Sequence, residues 1–482
     1  MATSEQTATP IPNPTGVKKS KSVPVRILHI VIGMAILGFF YLVPFGDELL
    51  TFSGRMALGV LIAAVYLWVT EPIPLAVTGL LAMIVMPAFG ILDFNGVWSG
   101  WMSSVIFFVL SSFALTKALI KSKIPSKVVF FLVSLSKGRA SLVVLAFMIT
   151  TAFVSMFVSN VPVTAVFAAM AASTILEAEK AVPGKSKLGV ALMIGVVFAS
   201  RIGGLCTPVG NAMNIMVLGM LTGFSGITIT FLDWMAIAMP VAIILLPLSW
   251  IALVLIFKPE AIKPETLDYL KIKKEELGKL AAFDYKVIAV FLLMLLLWLG
   301  ESIFHIDATV VCVIGMIIMF LPGIEILTWK EYVDTVAWDI VLVIGSVSSI
   351  SAGVSASGAA KWLVSTATGM VALTATGLTI GAAALIPILR LFIPVAPAII
   401  GLITMPLLGL SAEAGVSLTL MAMLISFGTV QYLLAIDAMT LMAYKYNYFS
   451  IIQYFFAGIA PTIITFILCI TIMPWLCGAL GL

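Results

Sequence analysis

Apolar stretches long enough to cross a lipid bilayer occupy most of this chain and leave little sequence for anything else. A spanning helix needs about 20 mostly apolar residues, because the hydrocarbon core is about 30 Å thick. Candidate spans lie at residues 27–43, 54–69, 75–89, 105–119, 188–220, 231–257, 287–300, 309–321, 340–354, 418–443 and 451–476. Only 10% of the 482 residues are charged, against about 25% in soluble domains. The pattern predicts an all-α polytopic membrane protein with about eleven transmembrane helices.

Two further apolar stretches, 142–175 and 373–410, are too long for one span and too short for two complete ones. A re-entrant helical hairpin fits such a length. Basic residues flank the first stretch on both sides: Lys121, Lys123, Lys127, Lys137 and Arg139 before it, and Lys180, Lys185 and Lys187 after it. Basic loops mark the cytoplasmic side, so this hairpin is predicted to open inward. The second stretch has no such flanks and is predicted to open outward.

The two halves of the chain resemble each other. Residues 67–73 match 297–303, and residues 211–216 match 437–442. Because the first half starts outside and the second inside, the repeat is inverted, a plan typical of secondary transporters with substrate near the midplane. We predict a cytoplasmic tail at 1–26, a first transmembrane helix at 27–53, repeat 1 at 54–258, a cytoplasmic linker at 259–285 and repeat 2 at 286–482.

Several classes of protein are not expected. The sequence has no GxxxxGKS or GxxxxGKT phosphate loop, which argues against an ATP-driven pump. It has no HExxH or GxSxG motif, which argues against an intramembrane enzyme. Its four cysteines and two histidines lack the spacing of zinc ligands. We expect no organic cofactor and no nucleic-acid partner. We place the chain in the plasma (inner) membrane with a cytoplasmic N-terminus.

The first predicted hairpin has its tip near residues 155–162. Pro162 cannot continue a helix without strain, and non-helical backbone at membrane depth survives only where it is buried or lines a wet cavity. Ser159 and Asn160 at this break offer oxygen ligands, and Asn160 also offers a donor. They are predicted to hold a cation or one end of a carboxylate. The alternative is a polar pair that only joins helices.

The stretch 188–220 contains three glycines and a proline near its centre, at residues 203–210. These residues interrupt a helix. An interrupted helix directs the N-terminus of its second half, with its partial positive charge, into the gap. The break is therefore predicted to favour an anionic ligand.

These motifs together resemble the divalent anion:sodium symporter family, which comprises dicarboxylate, citrate and sulfate carriers. The Ser159-Asn160 tip is followed by Ile-Gly-Gly-x-x-Thr-Pro-x-Gly-x-x-x-Asn at 202–214, and residues 71–74 and 446–448 are similar too. The resemblance runs over essentially the whole chain after residue 25. It implies an elevator-type transporter, a homodimer, and two Ser-Asn-Thr tips that bind substrate carboxylates and sodium ions together with two broken helices.

By this resemblance the substrate site comprises Ser159, Asn160, Val161, Thr207 and Pro208 in repeat 1, and Pro394, Val395 and Thr429 in repeat 2. Val161 replaces the family's threonine at the first tip. A first sodium site would use Ser155, Ser159, Asn160 and Gly203. The second tip has become Ile393-Pro394-Val395, which offers no side-chain oxygen, so a second sodium site of the family type is not expected.

Charged residues appear where this family usually has none. Arg201 precedes the first Gly-Gly, Arg390 lies three residues before Ile393, and Asp437 lies in the second broken helix. An ionisable group at membrane depth is a functional hypothesis by default. Arg201 and Arg390 are predicted to meet substrate carboxylates, because guanidinium binds them bidentately, or to replace a missing sodium ion. The alternative is an internal salt bridge with Asp437.

The leading prediction is a secondary transporter of C4–C6 di- or tricarboxylates that works by anion exchange. Sodium-coupled symport of a dicarboxylate or of sulfate is the alternative within carriers, and an anion channel is the alternative outside them. Glu71 and Glu301, at matching places in the repeat, are predicted to cap helices, and Trp68 and Trp298 to anchor the chain at the membrane surface.

Overall fold

The computed structural model describes residues 22–44, 50–304, 306–370, 374–393, 395–434 and 437–482. The first half contains α1 (Val23–Leu42), α2 (Phe52–Thr70), α3 (Leu75–Ala88), α4 (Phe94–Trp101), α5 (Ser104–Lys121), α6 (Ile124–Leu135), α7 (Ala140–Ser155), α8 (Asn160–Ala171), α9 (Lys187–Leu205), α10 (Ala212–Ser225) and α11 (Phe231–Phe257). The second half contains α12 (Pro264–Glu276), α13 (Ala282–Leu299), α14 (Glu301–Phe304), α15 (Ala308–Ile318), α16 (Trp329–Val333), α17 (Trp338–Ala356), α18 (Ala359–Met370), α19 (Ala375–Phe392), α20 (Ala396–Ala414), α21 (Leu418–Thr429), α22 (Ala438–Tyr444) and α23 (Ile451–Leu480). No strand occurs in these ranges.

Ten helices in the described part of the chain are long and apolar enough to cross a membrane. The all-α polytopic prediction is confirmed, although the set of helices differs from the predicted one. The predicted spans 75–89 and 309–321 are helices of only 14 and 11 residues, α3 and α15. In exchange, both arms of the predicted second hairpin, α19 and α20, have 18 and 19 residues and reach spanning length.

The first predicted hairpin is a pair of shorter helices. Its first arm, α7, has 16 residues, and its second arm is α8, with 12 residues, continued by a π-helical turn at Ala172–Leu176. At 1.5 Å per residue the arms reach about 24 and 25 Å, less than the thickness of the hydrocarbon core. Residues 156–159 connect them. These lengths fit the predicted re-entrant hairpin, whose position in the bilayer stays a prediction.

Short polar side chains define the helix ends. Thr51 accepts a hydrogen bond from Gly54 N at the start of α2, and Asp93 does the same for Gly96 N at the start of α4. Helix α23 begins with a capping box in which the Ser450 hydroxyl and the Gln453 amide bond each other's backbone N–H. Such caps satisfy N–H groups that have no partner inside the helix.

Helix α9 is the central element. Every residue from Leu188 to Leu205 is buried, as expected for a helix that is apolar on all sides. It packs against α7, α8 and α11, whereas α5 packs against α15, and α17 packs against α3, α4 and α20. Helix α21, buried from Thr419 to Thr429, occupies a comparable position in the second half.

Matching tryptophans support the internal repeat. Trp68 Nε1 donates to Leu75 O at 3.0 Å, and Trp298 Nε1 donates to Ala308 O at 3.2 Å. Their exposed fractions are 0% and 1%, so the prediction that they anchor the chain at the membrane surface was wrong. Each indole N–H instead donates to the backbone carbonyl of the first residue of a later helix, α3 for Trp68 and α15 for Trp298. Glu301 does cap a helix, because it accepts from Phe231 N at 2.7 Å at the start of α11.

Candidate functional site

The first group of polar residues forms where α7 ends and α8 begins. Ser155 is the last residue of α7, and its hydroxyl donates to Ser200 O of α9 at 2.8 Å. The hydroxyls of Ser155 and Ser200 are 3.1 Å apart. Both side chains are completely buried. Two hydroxyls and a carbonyl thus meet between the hairpin tip and the helix that precedes the break.

Asn160, the first residue of α8, completes this group. Its hydrogen-bond surroundings orient the amide so that Nδ2 donates to Ser155 Oγ at 2.6 Å and to Gly210 O at 3.0 Å. The backbone carbonyl of Asn160 accepts a hydrogen bond from the Ser200 hydroxyl at 3.0 Å. An amide can turn its oxygen to the same partners, so Asn160 can present either a donor or a ligand. Ser159 and Val161 beside it are half-buried.

Two glycines allow α9 to approach this tip closely. A methyl group on Gly203 would lie 2.1 Å from Ala152 O of α7, and one on Gly204 would lie 2.3 Å from the nearer atom of the Asn160 side-chain amide. Neither distance is possible for real atoms. The Gly-Gly pair seen in the sequence is therefore required by packing at the hairpin tip, and it does more than interrupt the helix.

The predicted break follows directly. Helix α9 ends at Leu205, a single turn covers Pro208–Gly210, and α10 begins at Ala212. The amide of Asn214 donates to Gly204 O at 2.8 Å and to Thr207 O at 2.9 Å, so it satisfies carbonyls that the break leaves without helical partners. The Thr207 hydroxyl donates to Met156 O and ties the break to the hairpin tip.

The second group of polar residues is charged. Arg201 Nη2 lies 2.6 Å from Asp437 Oδ2, and its side chain is 3% exposed. The same nitrogen donates to Thr440 Oγ1 at 2.8 Å. Asp437 also caps α22, since its Oδ1 accepts from Thr440 N at 2.9 Å. The internal salt bridge considered from the sequence is thus present, while Arg201 Nε has no hydrogen-bond partner among the described residues.

Arg390 is the second cation of this group. It lies near the end of α19 with 5% of its side chain exposed, and its Nη2 is 3.9 Å from Asp437 Oδ2. Its Nε donates to Thr429 O at 2.9 Å, and its Nη1 donates to Ile393 O at 3.2 Å. The guanidinium therefore connects the end of α19 with the end of α21.

The second tip offers few polar side chains. Ile393 is buried and Val395 is half-buried, and the Thr429 hydroxyl bonds Ser426 O within its own helix at 2.8 Å. Pro394, which we placed in the substrate site, lies outside the described residues. Carbonyl oxygens are therefore the main acceptors that the described residues of this region offer, and Arg390 already bonds two of them.

The two halves meet through reciprocal contacts. The Ser426 hydroxyl of α21 donates to Asn214 Oδ1 of α10 at 2.6 Å, while Arg201 of α9 donates to Thr440 of α22. The first part of each broken helix thus contacts the second part of the other. Sequence reasoning missed Ser200, Ser426 and Thr440; the repeat alignment, in which Asn214 matches Thr440, carried the signal for the last of these.

Comparison with known proteins identifies the family of the chain. The family described as "Sodium:sulfate symporter transmembrane region" matches residues 25–482. The chain belongs to this family.

Individual relatives point the same way. The sodium-dependent dicarboxylate transporter SdcS of Staphylococcus saprophyticus is 29% identical over 370 residues, covering 72% of this chain and 71% of that protein. SdcS of Staphylococcus aureus strain USA300 is 27% identical over 361 residues, covering 70% and 69%. As a member of this symporter family the chain is a multi-pass membrane transporter and not an enzyme, as predicted.

Solved structures support the fold. Neisseria gonorrhoeae MtrF, described as an antimetabolite efflux pump, superposes with a TM-score of 0.55 at 10% identity, covering 94% of both chains. The Alcanivorax borkumensis YdaH transporter gives 0.54 at 11% identity, covering 95% of this chain and 98% of YdaH. At such low identity the similarity concerns the fold alone.

The residues can be tested against the sodium ion that the family name implies. Around Ser155, Ser200 and Asn160 the structure gathers two hydroxyls and backbone carbonyls, neutral oxygens of the type that hard cations prefer. If the Asn160 amide turns its oxygen towards Ser155, the group has a donor set that fits one sodium ion. At the second tip Arg390 bonds the carbonyls of Thr429 and Ile393, so the described residues there do not fit a second one.

Proposed function

We propose that the chain transports small divalent organic anions, C4–C6 di- and tricarboxylates, mainly by anion exchange, and that Arg390 acts as a tethered cation in place of a second sodium ion. The SdcS relatives, named as dicarboxylate transporters, support the substrate class. The observation that carries the exchange proposal is the position of the Arg390 guanidinium between the second hairpin tip and the second broken helix.

The internal repeat explains why this position matters. With the prolines that follow the two tips aligned, Pro162 with Pro397, Ser155 and Arg390 each lie seven residues before the proline. Gly203 lies eight residues before Asn211, and Thr429 lies eight before the matching Asp437. Thus Arg390 corresponds to a predicted sodium ligand, and it donates to the carbonyl of the residue that corresponds to Gly203. A guanidinium stands where the first half would hold a cation.

Charge supports the same conclusion. Two arginines share one carboxylate, Asp437, so this buried group keeps one net positive charge. A sodium ion about 5 Å from that charge would be repelled by roughly 3 kcal/mol at an effective dielectric near 20. Sodium binding would weaken more than about a hundredfold. An unloaded carrier would also hold this charge without a substrate anion. We therefore expect the empty substrate site to move slowly from one side of the membrane to the other.

One bound sodium ion is compatible with the proposal. The first group, around Ser155 and Asn160, fits one ion, and the relatives are named sodium-dependent. We therefore expect at most one coupled sodium ion. Full sodium symport of a dicarboxylate or of sulfate is the second candidate, favoured by the family and relative names. Recording of single-channel currents would be required to support the anion channel.

The test is uptake of a labelled dicarboxylate into proteoliposomes that are empty or preloaded with the same anion, each in sodium and in choline medium. We expect uptake to be much faster into preloaded than into empty vesicles, with little effect of sodium. Strong uptake into empty vesicles that requires an inward sodium gradient would contradict exchange and restore symport.

Two matched variants are informative. Arg390→Ser introduces at the second tip the residue type of Ser155 at the first, and Arg390→Lys keeps the positive charge. Arg390→Ser should raise sodium-dependent uptake into empty vesicles, whereas Arg390→Lys should continue to exchange. Both should fold, because Arg201 still neutralises Asp437. Exchange without sodium in Arg390→Ser would show that the guanidinium does not replace a cation.

The remaining architectural predictions belong to the same proposal. The elevator motion, the two re-entrant hairpins, the boundaries of the repeats, the cytoplasmic N-terminus and the homodimer follow from the family resemblance and from the basic loops. Cross-linking of cysteine pairs between α5 and α8 in loaded and empty protein would test the motion. The mass of the purified protein would test the dimer.

A further inference from the structure

On the side predicted to be cytoplasmic, two short helices connect helices that pack against α15 with helices that pack against α9. Helix α6 joins α5, which packs with α15, to α7, which packs with α9. Helix α12 joins α11, which also packs with α9, to α13, which packs with α15. The two connecting helices pack against each other. A ligand bound between α6 and α12 therefore contacts both connecting helices.

A cavity of about 690 Å³ lies between these connecting helices. Its charged lining consists of Lys127, Lys137, Lys271, Lys274 and Glu275. Phe130, Val133 and Leu270 are 7%, 3% and 5% exposed and form an apolar floor. Four lysines and one glutamate surround that floor.

The positive charge at this cavity is poorly neutralised. Lys271 pairs with Asp268 at 2.9 Å. No carboxylate lies within salt-bridge distance of Lys127, Lys137 or Lys274 in the described part of the chain. Lys127 donates to Gly278 O, while Lys274 donates to Ser134 Oγ at 3.3 Å and lies 6.0 Å from the centre of the Phe131 ring. Elsewhere on this side, Lys121 and Lys273 do have carboxylate partners.

Exposed apolar side chains beside the cavity suit a position at the edge of the bilayer. Phe131 and Leu135, on the same helix as Lys127, are 55% and 59% exposed. A helix with exposed aromatic and aliphatic residues beside lysines is typical of the membrane interface. There the lysines meet the phosphate groups of lipids, and the apolar floor meets acyl chains.

We propose that the cavity between α6 and α12 binds an acidic phospholipid. Its phosphodiester contacts Lys127, Lys137 and Lys274, and the beginning of its acyl chains covers Phe130 and Leu270. Basic pockets on the cytoplasmic side commonly bind such head groups. Because the lipid holds both connections, its binding couples the two groups of helices, whatever anion the chain transports.

The test compares two triple variants that remove the same charge. Lys127→Gln/Lys137→Gln/Lys274→Gln changes the cavity, and Lys180→Gln/Lys185→Gln/Lys258→Gln changes exposed lysines elsewhere on the same side. Native mass spectrometry of the purified full chain would measure binding of phosphatidylglycerol and of phosphatidylcholine with identical acyl chains. Each lysine near a lipid surface contributes about 1 kcal/mol, so the cavity triple should lose phosphatidylglycerol affinity by more than about tenfold.

The control triple should bind phosphatidylglycerol as the wild type does, and phosphatidylcholine should bind weakly to all three proteins. Equal loss in both triples would attribute binding to general surface charge and overturn the site. Displacement of the lipid by inorganic phosphate alone would assign the cavity to a soluble anion and also overturn it. Should the cavity triple not fold, Lys137→Glu, at an exposed position, still reverses one of the three charges. It should weaken phosphatidylglycerol binding, and unchanged binding would overturn the site.

Discussion

The two hairpin tips occupy corresponding places in the repeat and use opposite chemistry. At the first tip Ser155 and Asn160 meet Ser200 through neutral oxygens and an amide. At the second tip Arg390 binds backbone carbonyls and lies beside Asp437. In the proposed function, the first tip provides ligands for a cation, and the second provides a cation as the Arg390 side chain. Two corresponding positions in a repeat would then meet the same charge requirement by different chemistry.

The difference also predicts where each tip is fragile. The first depends on close approach of backbones, which Gly203 and Gly204 permit. The second depends on charge balance among groups that water barely reaches, since Arg201, Arg390 and Asp437 have side chains 3%, 5% and 14% exposed. Substitutions should therefore act through packing at the first tip and through electrostatics at the second.

Removing the shared carboxylate should have the largest effect. Asp437→Asn keeps the cap of α22, because the amide oxygen can still accept from Thr440 N, but it leaves two buried guanidinium groups without a counter-charge. Breaking a buried ion pair in this way destabilises by about 3–5 kcal/mol. We expect poor recovery or a strongly lowered unfolding temperature of the detergent-purified protein, measured by intrinsic fluorescence.

Two further variants separate charge from packing. Asp437→Asn/Arg201→Gln restores the original net charge of the group and should recover part of the lost stability. Asp339→Asn, at an exposed position in the first turn of α17, should change stability by less than about 0.5 kcal/mol. If Asp437→Asn were as stable as Asp339→Asn, the second tip would not depend on charge balance.

Asn160→Ala should abolish transport and leave the protein monodisperse. The change removes the only amide of the first tip and leaves Ser155 and Gly210 O without that partner, so neither a cation nor a carboxylate end is held. The matched change at the second tip, Val395→Ala, should reduce uptake much less, because no side-chain oxygen is lost. Counterflow in proteoliposomes measures both, and near-normal uptake by Asn160→Ala would remove this tip from the site.

The sequence predicted the architecture better than the details of the site. Composition, basic loops and the repeat indicated the fold class. The glycines and the proline indicated the break near Thr207, and the charged residues at membrane depth indicated a possible salt bridge between an arginine and Asp437. It could not predict that Ser200 joins the first tip, because an isolated serine in an apolar helix has no distinctive pattern. Nor could the burial of Trp68 and Trp298 be read from the sequence, since an aromatic near a span end packs inward or outward according to its tertiary neighbours.

A smaller effect should follow from adding a methyl group to the first break. Gly203→Ala would place Cβ against Ala152 O, and relief of the overlap must separate α7 from α9. Overpacking of this kind destabilises by about 1–3 kcal/mol. The corresponding residue of the second half, Thr429, already carries a side chain, and Thr429→Ser, which removes one buried methyl group and keeps the hydroxyl, should cost only about 1 kcal/mol. Comparable unfolding temperatures for the two variants would contradict the packing difference between the halves.

The smallest effect is expected at an ion pair of nearly the same length on the surface. Lys121 Nζ lies 2.7 Å from Glu331 Oε1, but the side chains are 37% and 32% exposed. The hydrogen bond from Lys121 lowers the pKa of Glu331 to about 2. A lowered pKa stabilises the fold above the ordinary value of 4.5, and this stabilisation is lost as the pH falls towards 2. Water screens the pair, so its contribution should be only about 0–1 kcal/mol. A double-mutant cycle of Lys121→Met and Glu331→Gln at pH 7, read by thermal unfolding, measures this coupling. A coupling above about 2 kcal/mol would show that burial is not what distinguishes this pair from Arg201 and Asp437.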